Sequence, residues 1–192
     1  MPPKILVFAG SIRTGSFNAR LAALAAKELS RAEADVSLIS LSDYPLPLYD
    51  RDLEARSGPP ESAAKLKRAF CAHHGIFIAS PEYNASLTPL LKNTIDWISR
   101  VREGREAPLA AFKDRVFALG AASNGTLGGM RSLIALRQTL ELGCGALVLP
   151  EQIAVRGAAT AFDDMDELKD EAASALLKRV VGKLVDLAGR FA

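Results

Sequence analysis

Hydrophobic positions along the chain fall into five short, continuous runs. Each run is rich in branched or small apolar side chains, and they are Ile5–Ala9, Val36–Leu41, Gly75–Ala79, Val116–Gly120 and Ala146–Leu149. An unbroken apolar run of this length is typical of a strand that is covered on both faces. The pattern therefore predicts five buried strands.

Apolar residues between these runs recur with helical spacing. The predicted helices are about Phe17–Arg31, Glu61–His73, one starting at Pro89, Gly129–Leu142 and Glu167–Ala188. The third has the clearest start, because Thr88 is a good N-cap and proline is favoured at the first helical position. The stretch Ser42–Pro60 holds four prolines and is predicted to be a long surface loop.

Strands and helices alternate strictly, which predicts one α/β domain over residues 1–192 with a parallel sheet and helices on both faces. In such sheets ligands bind beyond the carboxyl ends of the strands. The loops that matter are then GSIRTGS (10–16), SPEYNASL (80–87) and AASNGTLGG (121–129). All three are rich in small polar residues and precede helices, so we expect them to form the ligand site.

The first of these loops suits an anion. A helix N-terminus offers unpaired N–H groups and partial positive charge. The loop adds polar side chains, namely the hydroxyls of Ser11, Thr14 and Ser16, the Arg13 guanidinium and the Asn18 amide. Together they predict a site for a terminal phosphate. The alternative is an ordinary strand-to-helix turn in which Ser16 only caps the helix and Arg13 is solvated.

The sequence lacks the motifs that several other classes of enzyme require. The first loop has neither the lysine of a nucleotide triphosphatase nor G-x-G-x-x-G spacing, and G-x-S-x-G is absent. Ser11 stands near the place where a phosphatase of this topology would carry a cysteine. His73 and His74 are predicted to interact with a helix C-terminus rather than to act as bases. We therefore expect no catalytic side chain and no metal, and a cofactor that supplies the chemistry.

The composition and the net charge of the chain limit the kinds of molecule that it is expected to bind. The 192 residues are 49% hydrophobic and 24% charged, with a net charge of +2. This balance favours neither nucleic acid nor an anionic membrane as a partner, and no apolar run is long enough to span a bilayer. Cys71 and Cys144 are far apart and are predicted to be buried apolar residues. We expect a cytoplasmic protein.

Three segments together resemble the NADPH-dependent FMN reductases, a flavodoxin-like group that includes chromate and quinone reductases and related azoreductases. They are GSIRTGSFNARLA, SPEYNASLTPLLKNTIDWISR and GAASNGTLGGMRSLIALRQTL. The similarity covers roughly Lys4 to Gln152. It implies a five-stranded parallel sheet of order 2-1-3-4-5 and a bound FMN, with NADPH or NADH as the co-substrate.

The resemblance also implies the residues that hold FMN. The phosphate would be bound by Ser11, Arg13, Ser16 and Asn18, with Phe17 beside them. Pro81, Glu82, Tyr83 and Asn84 would border the ring, and Ser123, Gly125 and Gly128 would complete the site. Glu82 is expected to contribute its backbone more than its carboxylate.

The implied function is an FMN-dependent NAD(P)H oxidoreductase working by ping-pong hydride transfer. The acceptor could be a quinone, an azo compound, free flavin or an oxidised metal ion such as chromate. Two other classes stay open. One is a flavodoxin-like electron carrier without turnover of its own, although such carriers are usually strongly acidic. The other is a flavin-free sensor of a nucleotide or phosphosugar.

The third helix has an unusually wide apolar arc. Leu90, Thr94, Trp97 and Val101 form a stripe beside that of Leu91, Ile95 and Ile98. Because a helix docked on a sheet needs a narrower stripe, the Leu90–Trp97 edge is predicted to contact another subunit. The family's dimers and tetramers also imply a homodimer or homotetramer. The alternative is that Trp97 belongs to the chain's own core.

Overall fold

The computed structural model describes residues 1–192 and contains one sheet of five parallel strands. The strands are β1 (Lys4–Ala9), β2 (Asp35–Leu38), β3 (Gly75–Ala79), β4 (Val116–Ala122) and β5 (Leu147–Val155). Their order across the sheet is β2-β1-β3-β4-β5, and every neighbouring pair is parallel. The predicted fold class and strand order are confirmed.

Helices cover the sheet on both sides. They are α1 (Phe17–Arg31), α2 (Arg51–Ser57), α3 (Glu61–Cys71), α4 (Pro89–Arg100), α5 (Met130–Gln138), α6 (Ala158–Ala161) and α7 (Glu171–Ala188). One face of the sheet packs against α1 and α7 and the other against α3, α4 and α5, which gives two large hydrophobic clusters. Because β3 and β4 are buried along their whole length, their sequences are apolar without alternation.

Several element boundaries differ from the predictions. The α-helical part of the fourth predicted helix ends at Gln138, and a π-helical turn, Thr139–Gly143, follows it directly. The last helix begins at Glu171 because the Asp170 carboxylate caps it through Ala172 N. Strand β5 does not stop at Leu149 but runs through Pro150 to Val155. Proline is tolerated there because β5 is an edge strand.

The predicted loop 42–60 is not free of regular structure. It contains α2, and a 3-10 turn, Leu41–Asp43, overlaps its start. The Asp50 side chain caps α2 by accepting from Leu53 N at 2.8 Å. No residue of α2 is buried, so it leaves no hydrophobic stripe in the sequence.

The segment 42–60 also covers Trp97, which was predicted to contact another subunit. This side chain is 0% exposed within the single chain. Its indole Nε1 donates to the Pro47 carbonyl at 2.7 Å, and the Tyr49 ring meets it edge-on at 5.1 Å between centroids. The predicted contact of Trp97 with another subunit is therefore wrong. The alternative, in which Trp97 is part of the chain's own core, is confirmed.

The two cysteines also differ from each other. Cys144 is buried, as predicted. Cys71 is exposed at the end of α3, so the prediction that Cys71 is buried is wrong.

His73 Nδ1 lies 2.6 Å from the Ala69 carbonyl in the last turn of α3, as expected for a histidine at a helix C-terminus. None of the helices combines the length and apolar character needed to cross a bilayer.

Candidate functional site

Three loops meet at the carboxyl ends of β1, β3 and β4 and enclose a cleft of about 230 Å³. We call them the first loop (10–16), the second loop (80–87) and the third loop (123–129). The cleft is lined by Ser11, Arg13, Ser16, Phe17, Asn18, Pro81, Glu82, Tyr83, Ala122, Ser123 and Asn124. Nine of the twelve predicted site residues are among them, whereas Asn84, Gly125 and Gly128 are not. Ala122 and Asn124 line it without having been predicted.

The first loop presents hydrogen-bond donors that the chain does not use. The N–H groups of Ser11, Ile12, Thr14 and Gly15 have no acceptor within the chain. Ser16 caps α1 by accepting from Ala19 N at 3.4 Å, and the first N–H groups of any helix lack intrahelical acceptors. This donor set is suited to a phosphate.

Arg13 folds back over its own loop. Its guanidinium donates to the carbonyls of Thr14 at 3.4 Å and Gly15 at 3.3 Å, and it lies 5.8 Å from the centroid of the Phe17 ring. These contacts are long and exposed, so they stabilise little. The guanidinium thus lies at the cleft, pairs with no acidic side chain and is free to bind an anion.

Asn18 holds two parts of the fold together, a structural role that the sequence did not indicate. Its side chain is buried and pairs in both directions with the backbone of Ala122, at the end of β4. Nδ2 donates to the carbonyl at 2.8 Å, and Oδ1 accepts from the N–H at 2.9 Å. The oxygen and one amide hydrogen are thus occupied, and Asn18 ties the start of α1 to β4.

Thr88 provides a second tie that sequence reasoning missed. Besides capping α4 through Leu91 N at 3.2 Å, its hydroxyl donates to the Gly10 carbonyl at 2.7 Å. A Cβ at position 10 would come within 3.0 Å of the Leu91 side chain, so glycine there permits the close approach of α4. The sequence marked Thr88 as a cap but gave no signal of its partner in the first loop.

The second loop forms a tight turn. Tyr83 and Ser86 exchange two backbone hydrogen bonds of 3.0 Å each. Asn84 and Ala85 between them have φ values of +50° and +63°, the left-handed combination typical of a hairpin turn. The turn leaves the Tyr83 side chain about half exposed at the cleft.

The Glu82 carboxylate bonds to another part of the chain, and the contribution of the Glu82 backbone to the site stays a prediction. Its carboxylate accepts from Arg131 N at 3.0 Å and from Arg131 Nε at 2.7 Å. These bonds join the second loop to the start of α5. The carboxylate is thus already used within the chain.

The third loop is fixed by both neighbouring segments. Ser123 N donates to the Val155 carbonyl at 3.0 Å, and Asn124 Oδ1 accepts from Ala159 N at 2.7 Å. At Gly128, with φ +62°, an added Cβ would lie 2.9 Å from the Ala154 carbonyl carbon. Gly128 therefore allows the loop to pack on β5 rather than lining the cleft itself.

A larger hollow of about 740 Å³ lies between α4 and the segment 138–144 at and beyond the end of α5. Cys144 lines it, but burial raises the pKa of this thiol to about 11, which keeps it neutral. Lys92 there is paired with Asp96 at 2.7 Å. The smaller cleft remains the better candidate, because unused donors and loops from three strands meet in it.

The model of the NADPH-dependent FMN reductase family matches residues 3–160 of this chain. The chain belongs to that family. It is an oxidoreductase that uses FMN and NAD(P)H. The resemblance inferred from the three motifs is confirmed, and all three loops of the cleft fall within the matched residues.

Relatives and solved structures agree with this assignment. An NAD(P)H-dependent FMN reductase of Pseudomonas aeruginosa is 34% identical over 177 residues, which cover 92% of this chain and 90% of the relative. A quinone reductase of Escherichia coli K12 is 35% identical over 138 residues, 71% and 69% of the two chains. The structure of FerB, a flavoenzyme NAD(P)H:(acceptor) oxidoreductase from Paracoccus denitrificans, covers 98% of both chains with a TM-score of 0.80 and 26% identity.

Proposed function

We propose that the cleft formed by the three loops is the FMN site of this family member. The observation that carries the proposal is the set of unpaired N–H groups in the first loop, together with the hydroxyls of Ser11 and Ser16 and the guanidinium of Arg13. This set fits a phosphate monoester, which needs several donors and positive charge. The residues present therefore fit FMN at its phosphate end.

The other two loops would border the ring. Among the residues that line the cleft, Pro81 and Tyr83 offer apolar surface, and Ser123 and Asn124 offer polar groups. Asn84, Gly125 and Gly128 act by shaping the turns that carry these residues. Asn18 contributes by fixing the first loop to β4, with one amide hydrogen left for the phosphate.

When bound, FMN accepts a hydride from NAD(P)H and passes two electrons to an acceptor. The chain's own residues bind the phosphate, orient the ring and leave an open side for the substrates. NAD(P)H and the acceptor would use that open side in turn, which is a ping-pong cycle. No side chain of the chain needs to act as an acid or base in this scheme.

Quinones are the acceptor class that the relatives support best. The quinone reductase of Escherichia coli is one such relative. A 2-hydroxy-1,4-benzoquinone reductase from a Burkholderia species is 41% identical over 100 residues, 52% of each chain. Azo compounds, free flavin and chromate are further acceptors to compare, and the azoreductase of Bacillus anthracis shares the fold with a TM-score of 0.60.

The test starts with the absorption spectrum of the purified protein reconstituted with FMN, before and after anaerobic NADPH. Bleaching of the flavin band, followed by its return on addition of a benzoquinone, is expected. Steady-state rates at several fixed quinone concentrations should give parallel double-reciprocal lines. Bleaching without steady NAD(P)H oxidation by any acceptor would instead identify an electron carrier, and absence of FMN binding would refute the site.

We also propose a homodimer or homotetramer, now through a different surface. Tyr83, Leu127 and Ile134 are 51%, 48% and 59% exposed and lie on the second loop, the third loop and α5. All three side chains expose apolar surface, and Tyr83 also lines the cleft. Sedimentation at micromolar concentration should show an oligomer that Ile134→Glu shifts toward monomer, and a monomeric wild type would contradict this.

A further inference from the structure

Helix α5 begins with a cap that comes from another loop. The residue at its N-cap position, Gly129, has a left-handed φ of 91° and no side chain that could cap. The carboxylate of Glu82 takes this place by accepting from Arg131 N at 3.0 Å. A helix in need of an N-cap is thus completed by a residue 49 positions earlier in the chain.

The same carboxylate forms an ion pair with the Arg131 side chain. Nε donates to Oε1 at 2.7 Å, and Nη2 contacts the same oxygen. The Glu82 side chain is only 8% exposed, whereas that of Arg131 is 55% exposed. Both carboxylate oxygens are therefore satisfied although the group is nearly buried, which such a charge requires.

A second contact fixes the start of the second loop to α5. Ser132 Oγ is buried and lies 3.1 Å from the Ser80 carbonyl and 2.9 Å from the Gly129 carbonyl. Ser80 N in turn donates to the Gly120 carbonyl at 2.7 Å. The segment 80–82 is therefore held by β4 on one side and by α5 on the other, and its position sets that of Pro81 and Tyr83 in the cleft.

We propose that Glu82 is a positioning residue that holds this wall of the cleft and, with Arg131, keeps the wall electrically neutral toward the flavin. The inference rests on the proposed FMN site. Reduced flavin carries more negative charge than oxidised flavin, so nearby positive charge raises its reduction potential. The Arg131 guanidinium and the N-terminus of α5 are both positive, and the Glu82 carboxylate offsets them.

The decisive measurement is the midpoint potential of bound FMN in the wild type, Glu82→Gln, Arg131→Gln and the double variant. Glu82→Gln leaves the guanidinium unbalanced, so the potential should become more positive. Arg131→Gln leaves the carboxylate unbalanced, so it should become more negative. The double variant should return close to the wild-type value. A purely structural role would move both single variants in the same direction.

FMN affinity supplies a second readout. Each single variant loses a hydrogen bond between charged groups that holds the second loop, so the dissociation constant should rise by roughly tenfold. Glu141→Gln is the matched control, because Glu141 pairs with Arg137 of the same helix at its far end. The control should leave both the potential and the affinity unchanged.

The measurements distinguish a failure of the proposed FMN site from a failure of the proposed role of Glu82. A wild type that binds no FMN refutes the proposed function. A wild type that binds FMN, with potentials that are equal in all variants or shifted in one common direction, overturns the role of Glu82 alone. If Glu82→Gln does not fold, the Arg131→Gln variant alone tests the proposal. An unchanged or more positive midpoint potential of FMN bound to Arg131→Gln would contradict it.

Discussion

Replacing Asn18 by alanine tests whether this residue ties the first loop to the sheet. The substitution removes two hydrogen bonds and leaves the N–H and the carbonyl of Ala122 without partners beneath the loop. An unsatisfied buried polar group costs about 1–3 kcal/mol. Because water can reach part of the cleft, the sum should fall near the lower end, about 2–4 kcal/mol.

The assay is urea unfolding of the apo-protein, which separates this effect from FMN binding. Asn18→Ala should lower the unfolding midpoint with little change in the slope of the free energy against urea. Ser30→Ala is the matched control in α1. Its hydroxyl only donates to the Ala26 carbonyl of the preceding turn at 3.0 Å, so its loss should cost under about 1 kcal/mol.

Asn18→Asp adds a second comparison. Aspartate keeps an acceptor for Ala122 N but turns a negative oxygen toward the Ala122 carbonyl and toward the proposed phosphate. It should therefore weaken FMN binding more than Asn18→Ala does, even though it retains one of the two bonds. The reasoning is refuted if Asn18→Ala is no less stable than the Ser30→Ala control.

Three further predictions concern the first loop, the third loop and the amino end of the sheet. Arg13→Ala should weaken FMN binding roughly tenfold to a hundredfold in a fluorescence titration, and Arg13→Lys should recover part of the loss because it keeps the charge but not the planar fork. Unchanged affinity in Arg13→Ala would mean that Arg13 does not hold the phosphate. Gly128→Ala should destabilise the protein by at least about 1–2 kcal/mol, because φ is +62° and the new Cβ would meet Ala154 at 2.9 Å. Gly143→Ala, with nothing within 4 Å, is the control, and equal stability of the two variants would contradict the argument. Burial, with the nearby Lys4, His73, Arg115 and N-terminal charges, lowers the pKa of His74 below 6.5. Since the unfolded state then binds more protons, stability should fall as the pH drops below about 6.5. The melting temperature of His74→Gln should depend less on pH in that range, and an identical dependence would exclude His74 as the cause.

The sequence predicted those parts of the fold that depend on local patterns. The run Gly75–Ala79 is buried throughout and is a strand with those bounds, and Thr88 with Pro89 fixed the start of α4. Strand β5 was cut short because Pro150 and Glu151 interrupt the apolar pattern. Helix α2 was missed because it buries no residue and lies among prolines.

The errors at longer range have a common physical cause. Trp97 was assigned to a subunit contact because its cover, Pro47 and Tyr49, comes from about 50 positions earlier in the chain. The partner of Asn18 is 104 positions away and that of Glu82 is 49 away. Such pairs leave no periodicity in the sequence. The motifs therefore located the cleft, but they could not show which polar side chains face a ligand and which hold the loops.

The bond between Asn18 and Ala122 also has a consequence for biosynthesis. The first loop is translated early, yet its brace is the last residue of β4, which follows more than a hundred positions later. A nascent chain that ends before Ala122 has every donor of the first loop but lacks the bond that ties the start of α1 to β4. If the cleft binds FMN as proposed, a chain without β4 lacks both this bond and the third loop, so we expect flavin to bind only after β4 has been synthesised.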